Sequence, residues 1–336
     1  IKTDNSIELN PESISLPYSD HIEMSGEQVS CVIRWGIDEE GLFSQERSLV
    51  FPMLRRVPND THASLLYRIG TDIMSHTGIN SLVPKQLSTK KVSIDGGLTV
   101  VNEYGVGKAN VGGARGSYMK PVVEVRQTVF PSRTLPMVCE IYCVRNITDK
   151  PLVINIPEFS QSTETLADKG VDGGYVIRGD IFGCGTYILD PQNDIEFQVA
   201  FQAYRASNEN MIVPNVSDEY ESRMSFVHED IDSSLILNTP DSTINTEFRF
   251  AKIRASESIY RTKGGLMHGP GGESYYAALW CNDECEYVNP FFPFLGYSTG
   301  NESAFNCYRL YSRYQNESFK PIPSSIIAEG TDIWDG

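Results

Sequence analysis

Residues 262–296, TKGGLMHGPGGESYYAALWCNDECEYVNPFFPFLG, hold glycines, aromatic residues and carboxylates at a density that the rest of the chain does not reach. The centre of this stretch is the run from Trp280 to Tyr287, WCNDECEY. A segment rich in glycine and proline buries little apolar surface, so the rings and acids beside it favour a surface that receives a polar, ring-shaped ligand such as a sugar. The stretch also divides the sequence, because strand patterns precede it and helix patterns surround it.

Short runs of β-branched and aromatic residues, separated by Gly, Pro, Asn or Asp, fill the chain before residue 240. They are spaced as in an antiparallel β-sandwich, and no helical period of 3.6 residues interrupts them. Two hairpins are predicted. One joins residues 28–35, through a turn at 38–41, to a strand that reaches Phe51, and the other joins 138–144 to 151–156 through the polar turn 145–150.

The pattern changes at residue 240. Asp241, Ser242 and Thr243 are possible helix N-caps, and apolar residues then recur every three or four positions from Ile244 to Ile259. This predicts a helix over 243–262 that ends at the glycines of 264–265. A further helix is predicted from 301 or 303 to about 316 and is stopped by the prolines at 321 and 323.

Together these features resemble the six-hairpin glycoside hydrolases of the glucoamylase-like and rhamnosidase-like superfamily, in which an N-terminal β-sandwich precedes an (α/α)6 barrel. The resemblance rests on the β region, the helix 243–262, the loop HGPGG with Trp280-x-x-Asp283 and Glu286-Tyr287, and the tail 328–334, AEGTDIW. It implies a multidomain β-then-α fold: an antiparallel β-sandwich at 1–239, a connecting helix at 240–262, and the first helices of an (α/α)6 toroid at 263–336. The chain is too short for all six hairpins, so we expect it to be truncated inside the barrel.

The resemblance also implies an activity, the cleavage of glycosidic bonds in oligo- or polysaccharides by an inverting mechanism. Such a mechanism uses two carboxyl groups about 6.5 to 9.5 Å apart. Asp283 would bind sugar hydroxyls at the cleavage point, and Trp280 would stack on the apolar face of the sugar ring. Glu329 or Asp332 would be the general acid, and the base is expected in a later hairpin. The further candidate substrate contacts are Glu286, Tyr287, His268 and Tyr276.

Each of these roles has a structural alternative. Asp283 could cap the following helix, with Glu286 completing a capping box. Trp280, Tyr275 and Tyr276 could be core residues, His268 could make a structural hydrogen bond, and Glu329 and Asp332 could form a turn. Glu273 and Glu284 stand behind the four named acids as carboxyl candidates.

Composition restricts the partners. The formal net charge of −16, without clustered Lys or Arg, argues against nucleic acid, and no apolar run is long enough to span a membrane. The seven cysteines lack zinc-site spacing, so neither a metal nor a cofactor is expected, although the acidic loop 168–174 leaves a structural calcium open beside the simpler turn. The expected partners are a carbohydrate and the remaining part of the catalytic domain on another segment.

Two interpretations of function remain. In the first, the chain is the N-terminal portion of a glycoside hydrolase. In the second, it is a non-catalytic carbohydrate-binding or interaction module whose β-sandwich holds the function. The first is favoured because the acid-rich aromatic loop lies in the helical part. Since the sequence starts at Ile1 without an initiator Met, a periplasmic or secreted location is expected.

Overall fold

The computed structural model describes residues 1–58, 60–107, 119–207, 212–273, 278–318 and 321–330, together with the backbone of a strand at 332–333. Antiparallel strands occupy the described chain as far as residue 205, and helices mixed with short strands follow. The strands are β1 (Ile7–Leu9), β2 (Tyr18–Ser25), β3 (Ser30–Ile37), β4 (Phe43–Arg55), β5 (Ser64–Ile69), β6 (Gly78–Ile79), β7 (Lys85–Ile94), β8 (Leu98–Gly105), β9 (Pro121–Pro131), β10 (Met137–Asn146), β11 (Leu152–Ile156), β12 (Ser160–Glu164), β13 (Tyr175–Phe182), β14 (Gly185–Leu189), β15 (Asp194–Arg205), β16 (Ile259–Thr262), β17 (Gly265–His268), β18 (Ala278–Trp280), β19 (Ser325–Ile327) and β20 (Asp332–Ile333).

The helical elements are shorter and come later. Short 3₁₀ turns lie at Pro11–Ser13, Ile73–His76, Ala167–Lys169 and Ser312–Tyr314, and two segments, Phe226–Ile231 and Asp283–Val288, have π-helical hydrogen bonding. The α-helices of the described residues are α1 (Val216–Ser225), α2 (Ser242–Glu257), α3 (Asn289–Leu295) and α4 (Ser298–Tyr311). None of the helices that the structure describes is long and apolar enough to cross a membrane.

Two large antiparallel sheets enclose the main core. The larger has eight strands in the order β1-β7-β8-β9-β10-β15-β13-β12, and the smaller has the order β2-β3-β4-β5. Ile33 and Leu49 of the smaller sheet belong to the same buried cluster as Val129, Tyr142 and Phe197 of the larger one. The prediction of an antiparallel, strand-rich first part followed by helices is therefore confirmed, whereas a full toroid is not seen in the described residues.

The first predicted hairpin is confirmed. β3 pairs with β4 from Ser30 opposite Val50 to Ile37 opposite Phe43. In its turn, the carboxylate of Asp38 accepts the N–H groups of Glu40 and Leu42 at 2.9 and 2.8 Å. Gly41 there has a φ of 81°, which glycine adopts without strain.

The second predicted hairpin is wrong, because its two strands belong to different sheets. β10 pairs with β9 and β15 in the eight-stranded sheet, whereas β11 pairs with β14 and β6 in a separate three-stranded sheet. Between them, the Asn146 side chain donates to the carbonyls of Lys150 and Leu189, both at 2.8 Å. The polar turn that suggested a hairpin thus carries the chain from one sheet to another.

Helix α1 contradicts the prediction that no helix precedes residue 240. Its buried residues are Val216 and Arg223, and Tyr220 is partly buried against the same cluster as Val216, so the inward face mixes apolar residues with a charged one. The Arg223 guanidinium instead donates to the backbone carbonyls of Gly96 and Ser25 at 2.8 and 3.2 Å. Tertiary hydrogen bonds and an ion pair with Glu257 therefore hold this helix together with the packing of Val216 and Tyr220.

Helix α2 begins as predicted, with the carboxylate of Asp241 accepting the Thr243 N–H at 2.8 Å. The predicted end at residue 262 is wrong, because the helix stops at Glu257 and the chain continues as β16, which forms a hairpin with β17. The glycines interpreted as a helix C-cap form the turn of this hairpin, where Gly265 has a φ of 105°. The helix predicted near 301–316 is present as α4, displaced by a few residues towards the N-terminus.

Candidate functional site

A three-stranded sheet in the order β18-β19-β20 brings two predicted parts of the site together. Trp280, at the end of β18, lies opposite Ser325, and Leu279 lies opposite Ile326, which in turn pairs with Asp332. Two strand spacings place the Asp332 backbone about 10 Å from that of Leu279. The WCNDECEY run and the tail AEGTDIW are therefore neighbours, although the side chain of Asp332 is outside the described residues.

Directly after β18 the chain turns helical, with π-helical hydrogen bonding over Asp283–Val288 before α3. Such segments often occur at functional sites. Asn282, which precedes this segment, already has helical φ and ψ and makes no side-chain capping hydrogen bond. Asp283 therefore lies inside the helical run, and the capping-box alternative is not what the structure shows. Trp280 and Asp283 both remain partly exposed.

Two other predicted contacts lie further along this helical run. Glu286 and Tyr287 are exposed, and Tyr287 has 67% of its surface accessible. They follow Asp283 by three and four residues within the same π-helical segment. Tyr275 and Tyr276 lie outside the described residues.

A buried carboxyl group, Glu284, lies between these exposed residues and the core. His268 of β17 approaches it, with Nδ1 at 3.4 Å from Oε1, and both side chains are buried. Neither oxygen of Glu284, nor His268 Nδ1, has a well-aligned hydrogen bond to a described residue. Burial raises the pKa of Glu284, and the neighbouring His268 opposes that rise. From the sequence, Glu284 ranks behind Asp283 as a candidate carboxyl group, whereas the structure shows that Glu284 is the buried carboxyl group of the site.

Three thiols lie close to Glu284. Cys281 and Cys285 are one helical turn apart, and Cys281 packs against the cluster that contains Cys307 of α4. Burial, together with the neighbouring Cys281, raises the pKa of Cys285 to about 11, and burial also raises the pKa of Cys307. The thiols of Cys285 and Cys307 are therefore neutral at pH 7. Within the described ranges, no group of three or more His, Cys, Asp or Glu side chains has the geometry to hold a metal ion.

The glycine loop HGPGG before the site is attached to the β-sandwich. The Gly272 N–H donates to Glu23 Oε2 of β2 at 3.0 Å. Gly271 has a φ of 85°, and a Cβ there would lie 2.4 Å from Arg254 Nη2 and 2.7 Å from Glu23 Oε1. The positive φ favours glycine at this position, and a side chain there would displace the ends of two charged side chains.

Glu273, the next residue, is a second attachment point. Its carboxylate accepts two hydrogen bonds from Arg34, at 2.6 and 2.8 Å, and a longer one from Arg68 at 3.4 Å. The hydrogen bonds from Arg34 are the main reason that the pKa of Glu273 is lowered to about 2. Glu273 is therefore an ionised anchor between the loop and the four-stranded sheet.

Glu329 faces the β-sandwich. It lies in the turn between β19 and β20, where Gly330 has a φ of 84°, so the turn alternative describes its backbone. Its Oε1 is 3.8 Å from Nε of the fully buried Arg55. The backbone carbonyl of Arg55 in turn accepts the hydroxyl of Tyr175. This arrangement is typical of a structural ion pair between the tail and the sandwich.

The acidic loop that left a calcium site open has other contacts. Asp172 accepts hydrogen bonds from Arg205 at 2.8 Å and from Lys263 at 3.1 Å. The same carboxylate thus links the loop to β15 and to the turn after β16. This contact and the pairing of Glu23 with the glycine loop could not be predicted from the sequence, because the partners are far apart in the chain.

No protein-family model matches the chain, and no curated protein matches it in sequence. Similar solved structures exist. One, from the human microbiome, is assigned as a kojibiose phosphorylase; it has 8% sequence identity and a TM-score of 0.51, with 98% of this chain and 52% of that chain covered. Another is a bacterial glucoamylase complexed with acarbose, with 9% identity and a TM-score of 0.37, and 98% of this chain and 56% of that chain covered.

The chain thus spans about half the length of each of these two proteins. The first similarity shows a shared fold that extends over almost the whole chain, from the sandwich through strand β18, which ends at Trp280, to the helices after it. At 8% identity, this similarity is evidence for the fold alone.

Proposed function

We propose that this chain is the N-terminal portion of an enzyme that cleaves glycosidic bonds in oligo- or polysaccharides. The observation that carries the proposal is the placement of Trp280 and Asp283. The aromatic ring stands at the end of a strand and the carboxylate in the following helical turn, and both are partly exposed. A glycine loop that is attached to the sandwich precedes them in the sequence. An aromatic platform beside a hydrogen-bonding carboxylate suits a sugar, which has an apolar face and a rim of hydroxyls. The fold similarity to a kojibiose phosphorylase supports the same class of substrate.

In this proposal Trp280 stacks on the sugar and Asp283 accepts hydrogen bonds from its hydroxyls, with Glu286, Tyr287, His268 and Tyr276 as further contacts. Asp332 is the favoured candidate for the general acid, since Glu329 is paired with Arg55. The reaction inverts the anomeric centre through two carboxyl groups, and the general base comes from helical hairpins outside this chain.

The acceptor of the glycosyl group defines two versions of the activity. Water as the acceptor gives hydrolysis, and inorganic phosphate gives a sugar phosphate. The name of the similar microbiome protein favours testing the second version directly. Incubating the full-length protein with kojibiose or maltose, with and without phosphate, distinguishes the two, because free sugar forms without phosphate only in hydrolysis.

Asp283→Asn in the full-length protein tests the site. Loss of the carboxylate should lower kcat/KM by about 100-fold or more, because a hydrogen bond to the reacting sugar strengthens in the transition state. Glu302→Gln, at an exposed position of α4, is the matched control and should leave kcat/KM unchanged. A wild-type kcat/KM for Asp283→Asn would remove Asp283 from the sugar site. Sugar binding without cleavage by the wild-type protein would favour the non-catalytic carbohydrate-binding module.

A further inference from the structure

A cavity of about 360 Å³ opens between strand β2, the turn that joins β7 to β8, and helix α2. It is separate from the Trp280–Asp283 region, whose residues do not line it. One part of its wall is apolar and includes Ile22, Phe250 and Ile253. The volume lies at the lower end of the range for small-molecule sites, about 300 to 1,000 Å³, and such sites often occur where structural units meet.

Charged side chains form the polar part of the cavity wall, as a chain of alternating sign. Arg223 Nη2 of α1 lies 2.5 Å from Glu257 Oε2, and Glu257 Oε1 lies 3.5 Å from Arg254 Nη1. Arg254 Nη2 lies 2.8 Å from Glu23 Oε1, and the other oxygen of Glu23 accepts the Gly272 N–H at 3.0 Å. This series of ion pairs therefore extends from the interior of the cavity to the glycine loop of the candidate site.

The arrangement selects the chemistry of a ligand. Two guanidinium groups and two carboxylates balance each other, so a strongly charged molecule would face a like charge whichever sign it carried. Arg223 and Glu257 are almost completely buried, whereas Arg254 and Glu23 keep 31% and 15% of their side-chain surface accessible. These two offer N–H donors and carboxylate acceptors beside the apolar wall formed by Ile22 and Phe250. A neutral ring with one apolar face and several hydroxyls satisfies both surfaces.

We propose that this cavity is a second binding site, for a neutral sugar or a similar ring-shaped polyol, and that its occupation stabilises the glycine loop 269–273. Phe250 and Ile22 pack against the apolar face of the ring, and Arg254 and Glu23 bind its hydroxyls. Because Glu23 also holds Gly272, a ligand that orders Glu23 orders the loop. The proposal does not depend on glycosidic cleavage at Trp280 and Asp283.

The binding test uses the full-length protein, with D-glucose and maltose as the probes in calorimetric titrations. Ile22→Trp places an indole in the cavity, and Ile22→Val is the matched control that leaves the cavity open. We expect Ile22→Trp to weaken binding at least tenfold, with Ile22→Val within twofold of the wild type. Phe250→Leu keeps an apolar side chain but removes the ring, and it should weaken binding by a similar factor.

Asp283→Asn separates this cavity from the proposed cleavage site. Binding at the cavity should persist in that variant and should still be lost when Ile22→Trp is added. The proposal is overturned if neither sugar binds the wild type, if Ile22→Trp and Phe250→Leu both bind as the wild type does, or if Asp283→Asn alone removes all binding.

The effect on the loop has its own measurement, hydrogen exchange of the backbone amides of residues 269–273. The added sugar should slow exchange of the Gly272 amide at least threefold in the wild type and in Asp283→Asn, and should leave it unchanged in Ile22→Trp. Unchanged exchange in a wild-type protein saturated with sugar would overturn the link between the cavity and the loop.

Discussion

Among the described residues, Glu140 in the β-sandwich and Glu284 in the candidate site are completely buried, and their surroundings differ. Glu140 Oε1 accepts Nη1 of Arg47 at 2.5 Å, and Oε2 accepts Gln127 at 2.8 Å and the hydroxyl of Tyr142 at 2.6 Å. Glu284, equally buried, has His268 at 3.4 Å and no well-aligned hydrogen bond to either oxygen from the described residues.

This difference distinguishes a carboxyl group that stabilises the fold from one that has the properties of an acid–base group. A buried carboxylate with a full set of donors fixes the packing around it, and its energy is part of the fold. A buried carboxyl without such donors is costly and holds a proton more readily, which is the property that acid–base sites use. The sandwich therefore contains the carboxyl group with a full set of donors, and the helical part contains the one without well-aligned donors among the described residues.

The largest expected effect comes from breaking the satisfied network. Glu140→Ala leaves the Arg47 guanidinium buried without its counter-charge, which should lower the free energy of unfolding by about 3 to 5 kcal/mol. Urea denaturation at pH 7 measures it. Glu164→Ala on the fully exposed strand β12 is the control and should change that free energy by less than about 0.5 kcal/mol. A loss below 1 kcal/mol for Glu140→Ala would mean that the two buried carboxyls are not different in kind.

The pH dependence of the free energy of unfolding tests Glu284, the second carboxyl group of the comparison. Burial raises the pKa of Glu284 above its ordinary 4.5, so between 4.5 and the raised value the folded protein holds a proton that the unfolded chain releases. The stability that the protonated Glu284 contributes is fully present below pH 4.5. It is lost as pH rises through the folded-state pKa, by at most about 1.4 kcal/mol per pH unit.

Glu284→Gln isolates this contribution, because the amide resembles the protonated acid and does not titrate. Above pH 4.5 the variant should lose stability less steeply than the wild type, and at neutral pH it should be at least as stable. The measurement is the free energy of unfolding at half-unit steps of pH. Parallel curves for the two proteins, or a loss as large as that of Glu140→Ala, would contradict a raised pKa.

The smallest effect is expected at Glu273, an ionised carboxylate of the opposite kind. Its pKa is lowered from 4.5 to about 2, so its contribution is present above pH 4.5 and is lost as pH falls towards 2. Partial exposure screens the pair with Arg34, and Glu273→Gln should lower the free energy of unfolding by about 1 kcal/mol at pH 7 and by less at pH 3. Glu39→Gln, at an exposed turn position, serves as the control. An equal loss at both pH values would indicate lost packing instead of lost charge.

The sequence was sufficient where local chemistry determines structure. Asp38 and Gly41 define the β3–β4 turn by themselves, and Asp241 starts α2. The sequence was insufficient where a contact with a residue distant in the chain determines the local structure. The segment around Asn146 suits a hairpin as well as it suits a crossing between sheets, and only the contact with Leu189 distinguishes them. Helix α1 escaped prediction because the buried Arg223 interrupts the apolar residues of its inner face.

The candidate site shows the same division. Trp280 and Asp283 are recognisable because their types and spacing lie within four residues of sequence. The burial of Glu284 could not be predicted, because it depends on β17 and α4, and its neighbour His268 reaches it only through the β16–β17 hairpin that the sequence did not predict. The ion pair of Glu329 could not be predicted either, because Arg55 lies in a distant strand of the sandwich.

The attachment of the glycine loop to β2 has a consequence for recombination between related proteins. Glu23 and Arg34 come from the sandwich, Arg254 from α2, and the loop itself from residues 269–273. A chimaera that joins this sandwich to another helical part at the boundary near residue 240 would separate those residues from one another. The sandwich and the loop must therefore be inherited as one unit, even though they stand at opposite ends of the chain.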